Sequence, residues 1–78
     1  MRILDEDSNR SLRTIILYLT RSEASEFRDS VDLLLADGKF RHEHISSSDH
    51  SREITVCLYD ANDLEGFDER SIAIIESE

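Results

Sequence analysis

Thr20-Arg21-Ser22-Glu23 has the spacing of a reciprocal helix start: a threonine hydroxyl accepts an early helical N–H, and the glutamate three residues on reaches back to the cap. Behind it Ala24, Phe27, Val31, Leu34 and Leu35 recur at intervals of three and four, which predicts one apolar stripe with Glu23, Glu26 and Arg28 towards solvent. Gly38 supplies a left-handed residue to end the helix. A helix with one apolar stripe must bury it against another element, and the runs on either side read as strands.

Ile3-Leu4, the polar cluster Asp5 to Asn9 and then Leu12 to Leu19 predict a short strand, a turn and a longer strand rich in β-branched and aromatic residues. Beyond the helix, Phe40 to Ile45 and Arg52 to Tyr59 predict a hairpin joined by the turn-favouring run Ser46-Ser47-Ser48-Asp49-His50-Ser51. Phe67-Asp68-Glu69-Arg70-Ser71-Ile72 reads as a cap and the first turn of a short C-terminal helix, although Ile72, Ile74 and Ile75 would equally suit a strand. The expected fold is therefore α+β and two-layered. An antiparallel sheet of three to four strands in β-β-α-β-β order is covered on one face by one amphipathic helix, with a short helix or strand at the end. With no proline, two glycines and no repeat, residues 1–78 read as a single domain.

A domain of 78 residues buries only ~60% of its extended surface, too little to enclose a deep pocket. Eighteen acidic residues against nine basic ones give a net charge of −9, which disfavours nucleic acid and anionic membranes as partners. Residues 60–78 carry seven acidic residues against Arg70 alone, a net −6, so a charge-steered partner would be basic and would meet this end. Cys57 is the lone cysteine, and Met1 to Asp7 turns acidic where a secretory signal needs an apolar stretch. The expected setting is cytoplasmic, with no membrane span.

His42, His44 and His50 fall close together and hold the densest potential chemistry. Their orientation depends on hairpin register, because a slip of one residue turns every side chain over. If Ile45 pairs with Ile54, His44 lies beside Thr55, His42 beside Cys57 and Phe40 beside Tyr59, away from the core face of Ile54, Val56 and Leu58. In the other register both imidazoles lie under the helix. The first is favoured, since Glu43 near a strand edge can tilt its charge outward while two adjacent buried imidazoles need several partners. One sheet face then carries Ile16, Tyr18, Phe40, His42, His44, Cys57 and Tyr59, while the helix covers Ile15, Leu17 and Leu19.

That open face is the expected interface. Ile16, Tyr18, Phe40, His42, His44 and Tyr59 are its candidate residues, buried against a second copy or another protein. A His₂Cys metal site of His42, His44 and Cys57, with zinc as the candidate ion, is sterically permissible but lacks a fourth fixed ligand. Catalysis is not expected. Ser46 to His50 has triad residue types without the convergence a triad needs, Cys57 has no neighbouring cation, and Gly38 and Gly66 belong to no phosphate-cradling loop, so no cofactor is expected. A further reading is an acidic inhibitor or immunity-type protein that presents residues 60–78 to a basic toxin or nuclease.

The succession "YLT", an acidic helix, "HEHI", "REITVCLYD" and "GFDERS" resembles a group of uncharacterised bacterial proteins of about this length. The resemblance covers nearly the whole chain and implies a small bacterial α+β domain. It implies no activity.

Overall fold

The computed structural model describes residues 1–36 and 42–77. Its elements are β1 (Ile3–Asp5), β2 (Arg10–Leu12), α1 (Arg21–Ala36), β3 (His42–Ser46), β4 (Glu53–Cys57) and α2 (Glu69–Glu76). The class is α+β, with two helices and two antiparallel two-stranded sheets, β1-β2 and β3-β4. Packing divides the chain into two compact units, residues 1–17 with 60–78, and residues 18–59.

In the first unit β1 and β2 form a hairpin with Ile3 opposite Leu12 and Asp5 opposite Arg10. Its turn is built by Asp5, whose carboxylate accepts the Asp7 and Ser8 amides at 3.1 and 3.4 Å and the Ser8 hydroxyl at 2.8 Å, and it closes through Asn9 at a φ of 57°. Helix α2 starts where Asp68 Oδ1 accepts the Ser71 amide at 2.7 Å. The helical reading of the C-terminal segment therefore holds. The hairpin and α2 are tied by Arg2 Nε donating to Ile74 O at 3.1 Å and by an Arg70–Glu6 ion pair at 3.2 Å. Between the bridged Asp60 and Asp63 and the start of α2, Gly66 takes a φ of 92° that a side chain would strain.

In the second unit α1 packs on β3. Its start is the expected reciprocal cap: Glu23 N donates to Thr20 Oγ1 at 3.1 Å and Thr20 N to Glu23 Oε1 at 2.9 Å. The core is small. Leu34 at 1% and Ile45 at 4% exposure are its buried residues among those described, with Phe27, Val31, Ile54 and Val56 half-buried around them. The stripe expected at Leu35 is displaced: Leu35 is 70% exposed and Ala24 also faces solvent, while Ser30 turns inward. Three consecutive leucines can each extend the repeat, and packing selects Leu34, seven residues after Phe27. The helix stop assigned to Gly38 lies outside the described residues.

The second strand differs most from expectation. It spans Arg10–Leu12 rather than Leu12 to Leu19, and residues 14–20 run with no helix, turn, bend or strand pairing. Among the described residues the strands form two antiparallel hairpins, and a sheet of three to four strands is not seen. Residues 15–19 have strand-forming side chains, but propensity selects an extended backbone without supplying a neighbour to pair with it. Ile15, Leu17 and Leu19, expected under the helix, are 45, 45 and 38% exposed.

Candidate functional site

The β3-β4 hairpin takes the favoured register: Ile45 faces Ile54, Glu43 faces Val56, His44 faces Thr55 and His42 faces Cys57. Period-two alternation sends Ile45, Ile54 and Val56 to the covered side and puts His42, His44, Glu53, Thr55 and Cys57 on the exposed side. Glu43, on the covered side, is half-buried rather than enclosed. The imidazoles of His42 and His44 meet edge to face, with centroids 5.3 Å apart and planes at 71°.

His44 Nδ1 lies 2.8 Å from Thr55 Oγ1 and 2.8 Å from Glu53 Oε1. A carboxylate oxygen can only accept, so the pairing favours a proton on Nδ1 and leaves Nε2 as the free lone pair of the neutral ring. This is the orientation a carboxylate gives a metal-binding histidine. Among the described residues, however, no group of three or more His, Cys, Asp or Glu side chains is arranged to hold a metal ion. His42 opposes Cys57, whose thiol is pushed above its ordinary pKa by the atoms packed around it. That shift works against a thiolate, whether as ligand or as nucleophile.

Of the other expected interface residues, Ile16 and Tyr18 lie on the 14–20 segment, outside any sheet, and are 72 and 88% exposed. Tyr59 follows the end of β4 and is exposed. Phe40 lies outside the described residues. Among the described residues, the semi-aromatic face expected across three strands is thus represented in a sheet by the histidine hairpin alone.

The loop at the hairpin's end is a hydrogen-bonded hub. Asp49 Oδ1 accepts the Ser47 and Ser51 hydroxyls, each at 2.7 Å, and the Ser51 amide at 3.0 Å, while Ser47 Oγ accepts the Arg52 amide at 3.0 Å. These bonds, led by the two hydroxyls, hold the Asp49 carboxyl far below the usual carboxylate range. His50, at a φ of 60°, donates its backbone N–H to Ser47 O at 2.9 Å. Ser, Asp and His here build a turn, with both serine hydroxyls donating to the acid rather than to an imidazole.

Glu23 joins this hub, since its Oε2 accepts the Ser48 amide at 2.9 Å. Thr20, Glu23, Ser47, Ser48, Asp49, Ser51 and Arg52 line a shallow surface depression between the start of α1 and the loop. The sequence marks Glu23 as a cap through its spacing from Thr20, but the link to Ser48 spans 25 positions and has no local signal.

Among the described residues no helix is long and apolar enough to cross a membrane. No protein-family model matches the chain, and no curated protein or solved structure matches it either.

Proposed function

We propose that this chain is a small acidic interaction module, without catalytic activity, that associates with protein through exposed apolar surface. One observation carries the reading. Ile15 to Leu19 are consecutive apolar residues that all remain partly in solvent, with Ile16 72% and Tyr18 88% exposed. Contiguous apolar surface of this kind marks association sites in soluble proteins. Ile16 and Tyr18 are the anchors, with His42, His44, Tyr59 and Phe40 as further contacts. The histidines serve as contact residues in this reading rather than as zinc ligands. A two-layer domain with a sheet of three to four strands is the architecture the run would complete by gaining a strand neighbour. A bacterial, cytoplasmic setting accompanies the proposal, with neither nucleic acid nor membrane as partner, in keeping with the net −9 charge. Sedimentation at tens of micromolar, together with co-purification from the native host, tests it. Recovery of a stoichiometric complex that Ile16→Asp abolishes is expected. A strict monomer with no retained partner would overturn it.

A second reading is supported by the C-terminal segment. Asp60, Asp63, Glu65, Asp68, Glu69 and Glu76 are all exposed, presenting an acidic surface to a basic partner in the manner of an inhibitor or immunity-type protein. Such a complex would form fast and weaken with salt, and release of a basic partner by moderate salt is the observation that selects it.

A further inference from the structure

His42 and His44 stand two residues apart on β3, so period-two alternation places both imidazoles on the exposed face of the β3-β4 hairpin. Their ring centroids are 5.3 Å apart. With metal–nitrogen bonds of ~2.0–2.1 Å, two imidazoles on one ion place their centroids roughly 4.5 Å apart at a right angle and roughly 6.3 Å apart in line. The observed separation lies inside that range. His44 is held through Nδ1 by Glu53 and Thr55, which leaves Nε2 as its lone pair. His42 makes only the ring contact among the described residues, so its imidazole can turn about its own side-chain bonds to bring a nitrogen beside that lone pair. All four residues belong to the compact unit of residues 18–59.

We infer that His42 and His44 form a two-imidazole site for a divalent ion of the copper and nickel class, with Glu53 as the positioning residue behind His44. The donor count selects the ion. No third His, Cys, Asp or Glu among the described residues joins the pair in a metal-holding group, so the chain supplies two nitrogens and leaves the remaining positions to water. Zinc sites ordinarily take three or four protein ligands, and two imidazoles fall short of both. Divalent copper accepts neighbouring nitrogen donors in a tetragonal plane filled out by oxygen, and it stands highest among the first-row divalent ions in affinity for such ligands. Moving from 5.3 Å to the right-angled arrangement shortens the centroid separation by roughly 0.8 Å, within reach of rotation at the exposed His42 side chain. Cys57, opposite His42, stays out of the set because burial disfavours its thiolate.

Titration of Cu²⁺ into the Cys57→Ser variant, which has no thiol to reduce the ion, tests this by electron paramagnetic resonance. One equivalent is expected to bind with hyperfine structure from two imidazole nitrogens. His42→Ala and His44→Ala should each lose the two-nitrogen pattern, while His50→Ala, on the loop, should keep it. Circular dichroism should show the parent helix signal in each variant, and His42→Gln and His44→Gln should repeat the loss where an alanine variant unfolds. Glu53→Ala combined with Thr55→Val leaves both donors but releases Nδ1 of His44, and should weaken binding by about 10- to 100-fold with the two-nitrogen pattern retained. Ni²⁺ should compete for the site, and equimolar Zn²⁺ should not displace Cu²⁺. A signal with one nitrogen or none, a two-nitrogen signal that survives His42→Ala or His44→Ala, or displacement by equimolar Zn²⁺ would overturn the inference. Unchanged affinity in the Glu53→Ala, Thr55→Val variant would overturn the positioning role.

Discussion

Glu23 Oε2 accepts the backbone N–H of Ser48 at 2.9 Å while Oε1 accepts the Thr20 amide at 2.9 Å, so one carboxylate both caps α1 and anchors the β3-β4 loop to it. Glu23→Ala is expected to lower the melting temperature more than an ordinary surface substitution and to speed hydrogen exchange at Ser48. Glu23→Gln, which keeps one acceptor, should fall between Glu23→Ala and the wild type. Equal melting temperatures for all three would show that the link contributes nothing.

Leu34 is the one side chain with essentially no exposure among the described residues, and it lies on the helix that packs on β3. Leu34→Ala is expected to destabilise by about 2–5 kcal/mol, a large share of the stability of a domain this small. Leu35→Ala, at a position 70% exposed, should change it by less than about 0.5 kcal/mol. Chemical denaturation separates the two, and similar losses at both positions would mean that the helix presents a different face.

Much of this was legible because the signals are local. The Thr20–Glu23 spacing, the Asp68 cap and the alternation around Ile45 and Ile54 each constrain geometry within a few residues, and the structure follows all three. The second strand was not, since β-branched residues at 15 and 16 mark an extended chain but cannot say whether a neighbour lies beside it. Leu35 was misplaced for a related reason: three adjacent leucines fit more than one helical stripe, and only packing decides between them. The candidate interface inherits this division, with the histidine register readable from alternation and the isolation of Ile16 and Tyr18 not.

Acid should destabilise the fold through a few hydrogen-bonded carboxylates. Asp49, Glu23, Asp5 and Asp68 are all held below their ordinary pKa by donors that exist only in the folded chain. A group depressed on folding stabilises the native state above its unfolded pKa, 3.8 for the aspartates and 4.5 for Glu23, and loses that contribution as pH falls through the lower folded value. Thermal melts should be nearly flat from neutrality to the upper edge of the carboxylate range and then drop. Asp49→Asn should melt lower than wild type at neutral pH, with the gap closing in acid. A constant gap at every pH would contradict this assignment.

The contact of His44 Nδ1 with Glu53 favours the Nδ1-protonated tautomer. Nitrogen chemical shifts at alkaline pH should report neutral His44 as Nδ1-protonated, and Glu53→Ala combined with Thr55→Val should move it towards the commoner Nε2-protonated form. No change in the double variant would show that neither partner orients the ring. Stoichiometric zinc at neutral pH should leave the melting temperature unchanged, because the raised Cys57 thiol must give up its proton to bind. A rise that His42→Ala and Cys57→Ser both abolish would instead establish the metal site.

Salt separates the two partner readings. Self-association of a −9 chain should strengthen as ionic strength screens the mutual repulsion, whereas capture of a basic protein by residues 60–78 should weaken. Light scattering across a salt series reads the first, and elution of any retained partner reads the second.

The central claim is that the exposed apolar residues from Ile15 to Leu19 form an association surface, and backbone hydrogen exchange against protein concentration tests it most directly. In dilute solution these amides should exchange as fast as an unstructured peptide while those of α1 remain protected. At high concentration, or with a co-purified partner, these amides should become protected together, and Ile16→Asp should abolish that protection. Fast exchange of residues 14–19 at every concentration would contradict the account.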